Sequence, residues 1–275
     1  MIATVWAASA ALGGCVGLIL GLTGAGGAIM AVPLLVFGLH LQVAQAAPIA
    51  LLAVGLSAAL GAALGLRKGL VRYRAAGFMA VTGIIVSPLG LWAARRLPNA
   101  PLAIIFAGVL GLVAWRMWNQ GARPAAAAQA PRVPPCQLNA STGRLRWTAP
   151  CARALTGTGA IAGFLSGLLG VGGGFVIVPA LRRSTDLPMQ AIVGTSLAVI
   201  ALVSASGVAA AAAGGHLDWG IAAPFTASAV LGMLAGRAVA DRFAPRRLQQ
   251  CFALFAAAVA VAMLAKGAMA LIAAA

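Results

Sequence analysis

The sequence predicts an all-α membrane protein with two inverted-topology repeats, each a glycine-broken helical hairpin followed by three transmembrane helices. Of the 275 residues, 62% are hydrophobic and only 8% are charged, whereas soluble domains contain about 25% charged residues. Several apolar runs reach about 20 residues, which is enough to cross a hydrocarbon core of about 30 Å. A glycine-rich segment also occurs twice, at an offset of 146 residues.

The repeated segment reads GLTGAGGAIMAVPLL at 21–35 and GLLGVGGGFVIVPAL at 167–181, with eight of the fifteen positions identical. Glycine permits positive φ and close backbone approach, and proline removes a backbone donor, so each copy predicts a broken helix. The same offset aligns residues 69–73 with 215–219 and Arg96 with Arg242. The sequence thus predicts a first repeat over 1–119, a linker rich in Pro, Ala and Arg over 120–152, and a second repeat over 153–275.

Apolar segments define the predicted helices of each repeat. The first repeat contains 2–20 and 27–39 on either side of its glycine segment, then 42–66, 75–94 and 100–117. The second contains 154–170 and 173–181, then 188–213, 219–240 and 248–273. The segment from Met1 lacks a basic region before its apolar run, so we expect a retained helix and not a signal peptide.

Basic residues predict the orientation. If each glycine segment turns back on itself and the N-terminus lies outside, sixteen of the nineteen basic residues fall inside. Eight straight spans would leave only eleven inside. The positive-inside rule therefore favours hairpins, with both termini outside and the linker cytoplasmic. A hairpin plus three spans gives an odd number of crossings, so the second repeat enters the membrane opposite to the first.

Several functions are disfavoured. The net charge of +16 is explained by loop positions, so nucleic-acid binding is not expected. The three acidic residues and the two histidines all fall in connections, which leaves no intramembrane carboxylate, imidazole or metal cluster, and no enzyme activity or cofactor is predicted. His40 and His216 are interpreted as solvated loop residues. The four cysteines show no metal-ligand spacing and are interpreted as small residues without a role.

The predicted binding elements are the two glycine clusters. Inverted hairpins would bring them together near the bilayer midplane, where new half-helices begin and present unpaired N–H groups to an anion. Packing alone is the alternative explanation of the glycines. The candidate substrate-binding residues are Thr23, Gly24, Gly26, Gly27, Gly170, Gly172, Gly173, Gly174, Thr195 and Ser196.

The combination of motifs resembles the TauE/SafE sulfite exporter family. The resemblance rests on the duplicated G-x-x-G-x-G-G segment followed by V-P-x-L, on the G-T-S-L of 194–197, and on G-x-[LV]-x-aromatic, and it covers roughly 10–119 and 155–270. It implies an inner-membrane carrier for small sulfur-containing anions such as sulfite or organosulfonates. The first half has Pro48-Ile49-Ala50-Leu51 where the second has G-T-S-L, so a hydroxyl-lined site would be asymmetric.

The function predicted at this point is secondary transport of such an anion by alternating access, one repeat rocking against the other. An anion channel and a non-transporting membrane scaffold remain as alternatives. The expected partners are the anion and the lipid bilayer, and assembly into a homo-oligomer is left open.

Overall fold

The computed structural model describes residues 2–24, 27–122, 135–136, 148–213, 215, 217–239 and 245–272. Within these ranges the chain is helical, apart from connections and one isolated β-bridge between Cys136 and Thr185. The helices are α1 (Ile2–Thr23), a 3-10 turn (Gly27–Met30), α2 (Ala31–Gly38), α3 (Val43–Arg67), α4 (Tyr73–Arg96), α5 (Asn99–Ala122), α6 (Ala149–Leu169), α7 (Gly174–Ser184), α8 (Met189–Ala213), α9 (Trp219–Val239) and α10 (Pro245–Ile272).

Seven of the described helices are long and apolar enough to cross a membrane: α1, α3, α4, α5, α8, α9 and α10. The predicted all-α membrane class is therefore confirmed. The helices α2 and α7 have 8 and 11 residues and span roughly 12 and 17 Å at 1.5 Å per residue. They are too short to cross a hydrocarbon core.

The helix α6 includes the last four residues of the predicted linker, because its N-terminus is capped. Thr148 adopts an extended conformation and its hydroxyl accepts a hydrogen bond from the N–H of Cys151 at 3.3 Å. Pro150 occupies the first turn, where a missing N–H costs nothing. Together these residues start the helix at Ala149.

Glycines interlock α1 with α9. A Cβ added to Gly13, Gly17 or Gly21 would overlap, respectively, the backbone of Phe225, Ala229 or Met233. The partners advance along α9 as the glycines advance along α1, so the two helices run parallel. Close backbone approach through small residues is the typical packing of membrane helices.

The same interlock recurs between α4 and α6, shifted by 146 residues. Here a Cβ on Gly159, Gly163 or Gly167 would overlap the backbone of Met79, Gly83 or Ser87. Each contact in this pair is the counterpart of a contact between α1 and α9. The two pairs are thus related by the internal repeat, and each pair joins a helix of one repeat to a helix of the other.

Helices α3 and α8 cross the centre of the molecule. A Cβ on Gly61 would meet Leu197, and one on Gly207 would meet Leu51, which are again reciprocal positions. Because residue numbers rise on one helix as they fall on the other, α3 and α8 run antiparallel. Both are 56% buried over their apolar windows, the highest share among the seven long helices. Helices α5 and α10 pack together beside this central pair.

Cys136 and Cys151 form a disulfide, so the prediction that all four cysteines lack a role was wrong. Both side chains are buried. The N–H of Cys136 donates to the Ser184 carbonyl at 2.9 Å, which fixes this point of the linker to the end of α7. Spacing did not reveal the pair, because the contact depends on where α6 and α7 meet. Cys15 and Cys251 are free.

The packing of α1 against α9 predicts that alanine substitutions at two glycines of α1 change the melting temperature by different amounts. Gly17→Ala should lower the melting temperature of the purified protein by several degrees, because overpacking a tight contact costs about 1–3 kcal/mol. Gly14→Ala is the matched control, since a Cβ there has no neighbour within 4 Å. Equal melting temperatures for the two variants would contradict the packing of α1 against α9.

Candidate functional site

The second hairpin breaks its helix with three glycines in the left-handed region. Gly170, Gly172 and Gly173 have φ of 71°, 69° and 68°, conformations that side chains disfavour. The first hydrogen bonds of α7 are those in which Val176 and Ile177 donate to the Gly173 carbonyl. The N–H groups of the residues that open α7 therefore have no acceptor within the helix.

This break lies near the middle of the two central helices. A Cβ on Gly172 would lie 2.9 Å from Cγ2 of Ile200, 3.1 Å from the Ser204 hydroxyl oxygen and 3.5 Å from Cγ1 of Val54. Val54 and Ile200 stand halfway along α3 and α8. The Ser204 hydroxyl is buried and has no hydrogen-bond partner among the described residues. An unsatisfied polar group thus lies beside the helix break.

In the first hairpin, a side chain hydrogen-bonds a backbone N–H group at the helix break. The Thr23 hydroxyl donates to the Ile19 carbonyl at 2.7 Å and accepts from the N–H of Gly27 at 2.9 Å. Gly24 has a φ of 81° and donates its N–H to the Leu20 carbonyl. The 3-10 turn that opens at Gly27 contacts α7, so the restarting helices of the two hairpins are neighbours. Gly26 lies outside the described residues.

Gly24 and Gly170, the first positive-φ glycines of the two hairpins, contact different central helices. A Cβ on Gly24 would meet Val193, whereas one on Gly170 would overlap Ala47, the counterpart of Val193 at the repeat offset. Each contact lies four residues after the start of its helix, α8 or α3. Since these helices are antiparallel, Gly24 and Gly170 lie on opposite sides of the middle. The structure thus brings the 3-10 turn that opens at Gly27 next to α7, but it does not bring Gly24 next to Gly170.

A cavity of about 860 Å³ reaches the start of α7. Of the predicted site residues, Thr23, Gly24 and Gly174 line it. Gly27, Gly170, Gly172 and Gly173 are buried, do not line the cavity and belong to the hairpin framework. Five basic residues also line the cavity, and none of its described lining residues is acidic. The basic residues are Lys68, Arg116, Arg182, Arg183 and Arg237.

The predicted hydroxyls of α8 have partners in the backbone. Thr195 accepts a hydrogen bond from the N–H of Arg72 at 3.1 Å, and Ser196 donates to the Val193 carbonyl at 2.8 Å. Both side chains are fully buried and neither lines the cavity. In this arrangement Thr195 joins the start of α4 to α8, and its role in substrate binding stays a prediction.

In the sequence the basic residues indicate the orientation of the chain but do not indicate that they share a site. Four of them follow or end apolar segments, and the structure shows that these helix ends converge: Lys68 after α3, Arg116 near the end of α5, and Arg182 and Arg183 at the end of α7. The available signal was the position of each residue at the same predicted membrane face. Arg237, inside the apolar segment 219–240, carried a stronger signal, because a charge within a span usually faces a cavity.

Comparison with known proteins identifies the family of the chain. The family model described as "Sulfite exporter TauE/SafE" matches residues 9–263. The chain belongs to the TauE/SafE family. It is 29% identical over 256 residues to a "Probable membrane transporter protein" of Xylella fastidiosa strain 9a5c, with 90% of this chain and 91% of the relative aligned. The "Probable membrane transporter protein YunE" of Bacillus subtilis is 35% identical over 79 residues, 29% of each chain. No solved structure matches significantly.

Membership of the TauE/SafE family makes the chain a multi-pass membrane protein of a transporter family. The match covers both glycine segments, five of the seven long helices in full, and most of α1 and α10. The glycine breaks and the cavity between them therefore lie within the matched region.

The hairpin geometry predicts that Gly170→Ala destabilises the protein more than Gly69→Ala does. Both positions have positive φ, but a Cβ on Gly69 has no neighbour within 4 Å, while one on Gly170 overlaps Ala47. Left-handed strain alone costs about 1–2 kcal/mol. Gly170→Ala should therefore lower the melting temperature further than Gly69→Ala and also reduce transport. Thermal unfolding and proteoliposome uptake measure this, and equal losses would contradict the close contact between the second hairpin and α3.

Proposed function

We propose that the chain is a secondary transporter of small sulfur-containing anions, sulfite or organosulfonates, that works by alternating access. The supporting observation is the cavity that runs from a basic mouth to the start of α7 and has no acidic residue in its described lining. The anion binds where α7 begins, with Thr23, Gly24 and Gly174 in its immediate surroundings. The protein is not an enzyme in this proposal.

The chemistry of the site favours an anion. A helix N-terminus carries unpaired N–H donors and a partial positive charge, which suits an oxyanion without any acidic or metal group. A sulfite or sulfonate group offers three oxygen acceptors to such donors. Basic residues at the mouth of a low-dielectric cleft concentrate anions there and speed their entry.

Alternating access is supported by the reciprocal contacts across the repeat. Pairing of α1 with α9 and of α4 with α6, together with antiparallel α3 and α8, fits two inverted-topology repeats related by a pseudo-two-fold axis. Since each glycine-interlocked pair contains one helix from each repeat, we propose that the α1–α9 and α4–α6 pairs rock about α3 and α8. This replaces the motion of one whole repeat against the other.

The proposed orientation places both termini outside an inner membrane and the linker in the cytoplasm, with domain limits of 1–119, 120–152 and 153–275. The five basic residues of the cavity then face the cytoplasm, as the positive-inside rule favours. The disulfide between Cys136 and Cys151 opposes this orientation, because such bonds persist mainly in oxidising compartments. The proposed orientation therefore requires that this disulfide be reduced in the cell.

Transport by reconstituted protein tests the function. We expect uptake of labelled sulfite or of an organosulfonate to saturate with concentration, and we expect unlabelled anion on the far side to accelerate it by counterflow. Uptake that rises linearly without counterflow would indicate a channel. No uptake of any anion in a panel of sulfite, sulfonates, thiosulfate and sulfate would favour a scaffold.

The thiol state tests the orientation. In a Cys15→Ser/Cys251→Ser background, cells are quenched with acid, denatured and treated with a polyethylene-glycol maleimide. If the linker is cytoplasmic, both remaining cysteines should react without a reductant and shift the band twice. If modification requires prior reduction, Cys136 and Cys151 form a disulfide in the cell and the proposed orientation is wrong.

A further inference from the structure

We infer that the Arg237 guanidinium is the charged group that binds the transported anion within the cavity. This inference rests on the proposed function and adds to it a residue that neither the glycine motif nor the predicted hydroxyls include. It implies that the ligand is an oxyanion with at least two acceptor oxygens, because a planar guanidinium binds such groups through paired N–H donors.

Arg237 projects from α9 into the cavity and is held by the backbone of α3. Its Nη1 donates to the Gly61 carbonyl at 3.1 Å, and the residue is partly buried. Gly61 lies six residues before the end of α3, which places the guanidinium roughly 9 Å inside the helix end at 1.5 Å per residue. The other four basic residues of the cavity are exposed at its mouth.

The hydrogen bond to Gly61 uses one of the five N–H donors of a guanidinium. No salt bridge or second hydrogen-bond acceptor for Arg237 occurs among the described residues, and the described lining of the cavity contains no carboxylate. A charge at this depth is costly unless it faces a water-filled cavity or pairs with another charge. A mobile anion entering the cavity supplies the missing partner.

The internal repeat provides a comparison for this position. The counterpart of Arg237 is Leu91, and the two backbones pack in the same way. A Cβ on Gly21 would lie 2.8 Å from the backbone nitrogen of Arg237, and one on Gly167 would lie 3.0 Å from the backbone nitrogen of Leu91. The packing of α9 on α1 therefore does not require an arginine side chain. The guanidinium is an addition to the fold on the side where the cavity opens.

Arg237 also faces the first hairpin, while the start of α7 belongs to the second. Its backbone lies against Gly21, near the end of α1, and Thr23 and Gly24 line the same cavity as Gly174. An anion held by Arg237 and by the α7 N–H groups would therefore join the α1–α9 pair, which contains the first hairpin's α1, to the second hairpin. Such a ligand would couple its own binding to the relative position of the two hairpins.

The test uses Arg237→Leu, which introduces the residue of the symmetry-related position, and Arg237→Lys, which keeps the charge but not the planar fork. Arg96→Leu is the matched control, because Arg96 ends α4, lies outside the cavity and stacks 4.7 Å from the Trp92 ring. Binding to purified protein is measured as the rise in melting temperature with increasing sulfite, taurine, sulfate, phosphate or chloride. Uptake into proteoliposomes is measured in parallel.

We expect Arg237→Leu to raise the half-saturating anion concentration about 10- to 100-fold, which is the range for losing a hydrogen bond to a charged group. Arg237→Lys should recover part of this loss, and Arg96→Leu should bind like wild type. Wild-type affinity in Arg237→Leu would overturn the inference. A second result would also overturn it: both Arg237 variants have an equally lowered melting temperature without ligand, and Arg237→Lys recovers no binding. Arg237 would then act only as a structural link to Gly61.

The two proposals fail separately. If none of the sulfur-containing anions stabilises the wild-type protein but phosphate or chloride does, the proposed substrate class is wrong. The role of Arg237 is then tested by comparing the affinities of wild type and Arg237→Leu for the anion that binds. If sulfite binds wild type and Arg237→Leu with equal affinity, the function stands and the role of Arg237 is refuted. If no anion in the panel changes the melting temperature of wild type, both proposals fall.

Discussion

A helix that breaks inside a membrane leaves backbone N–H groups that lipid cannot satisfy, and this constraint governs the structure. The cost of an unsatisfied group in hydrocarbon is several kcal/mol, so irregular backbone is tolerated only when it is buried in protein or lines a cavity. The two hairpins meet the constraint differently. In the first, the Thr23 hydroxyl accepts the N–H of Gly27. In the second, α7 opens at a cavity whose described lining carries basic but no acidic side chains.

The surrounding fold holds these two breaks side by side. Apolar side chains gain little from leaving lipid for a protein interior, so close packing must hold the helices together. Glycines provide it by letting α1 approach α9, and α4 approach α6, to backbone contact. The central α3 and α8 then bury the tip of the second hairpin between Val54 and Ile200. The position of the site is therefore determined by close packing between the helices.

Much of this architecture could be predicted from the sequence, because apolar length and glycine placement act locally. The spans matched the helices within a few residues, and the repeat placed the breaks at 21–35 and 167–181. Local signals could not show that Thr195 accepts the N–H of Arg72, 123 positions away along the chain. They also could not show that Cys136 reaches Cys151 beside α7. Such contacts depend on how distant segments meet.

Arg237 illustrates the limit most clearly. In the sequence its position inside the apolar segment 219–240 indicates a cavity, but not which helix or backbone group the guanidinium meets. Only the packing of α9 against α3 shows that its guanidinium donates to the Gly61 carbonyl inside a cavity. The function of this residue therefore depends on tertiary structure, whereas the glycine breaks can be recognised from composition and spacing alone.

The central claim is that an oxyanion binds between the two hairpins, where α7 begins. The most direct test is an experimental structure of the protein with selenite, whose selenium can be located by anomalous scattering. We predict one strong peak in the cavity, with selenite oxygens within hydrogen-bonding distance of the Gly174 N–H and the Arg237 guanidinium. A structure in which selenium binds elsewhere while this cavity holds no anion would contradict the account.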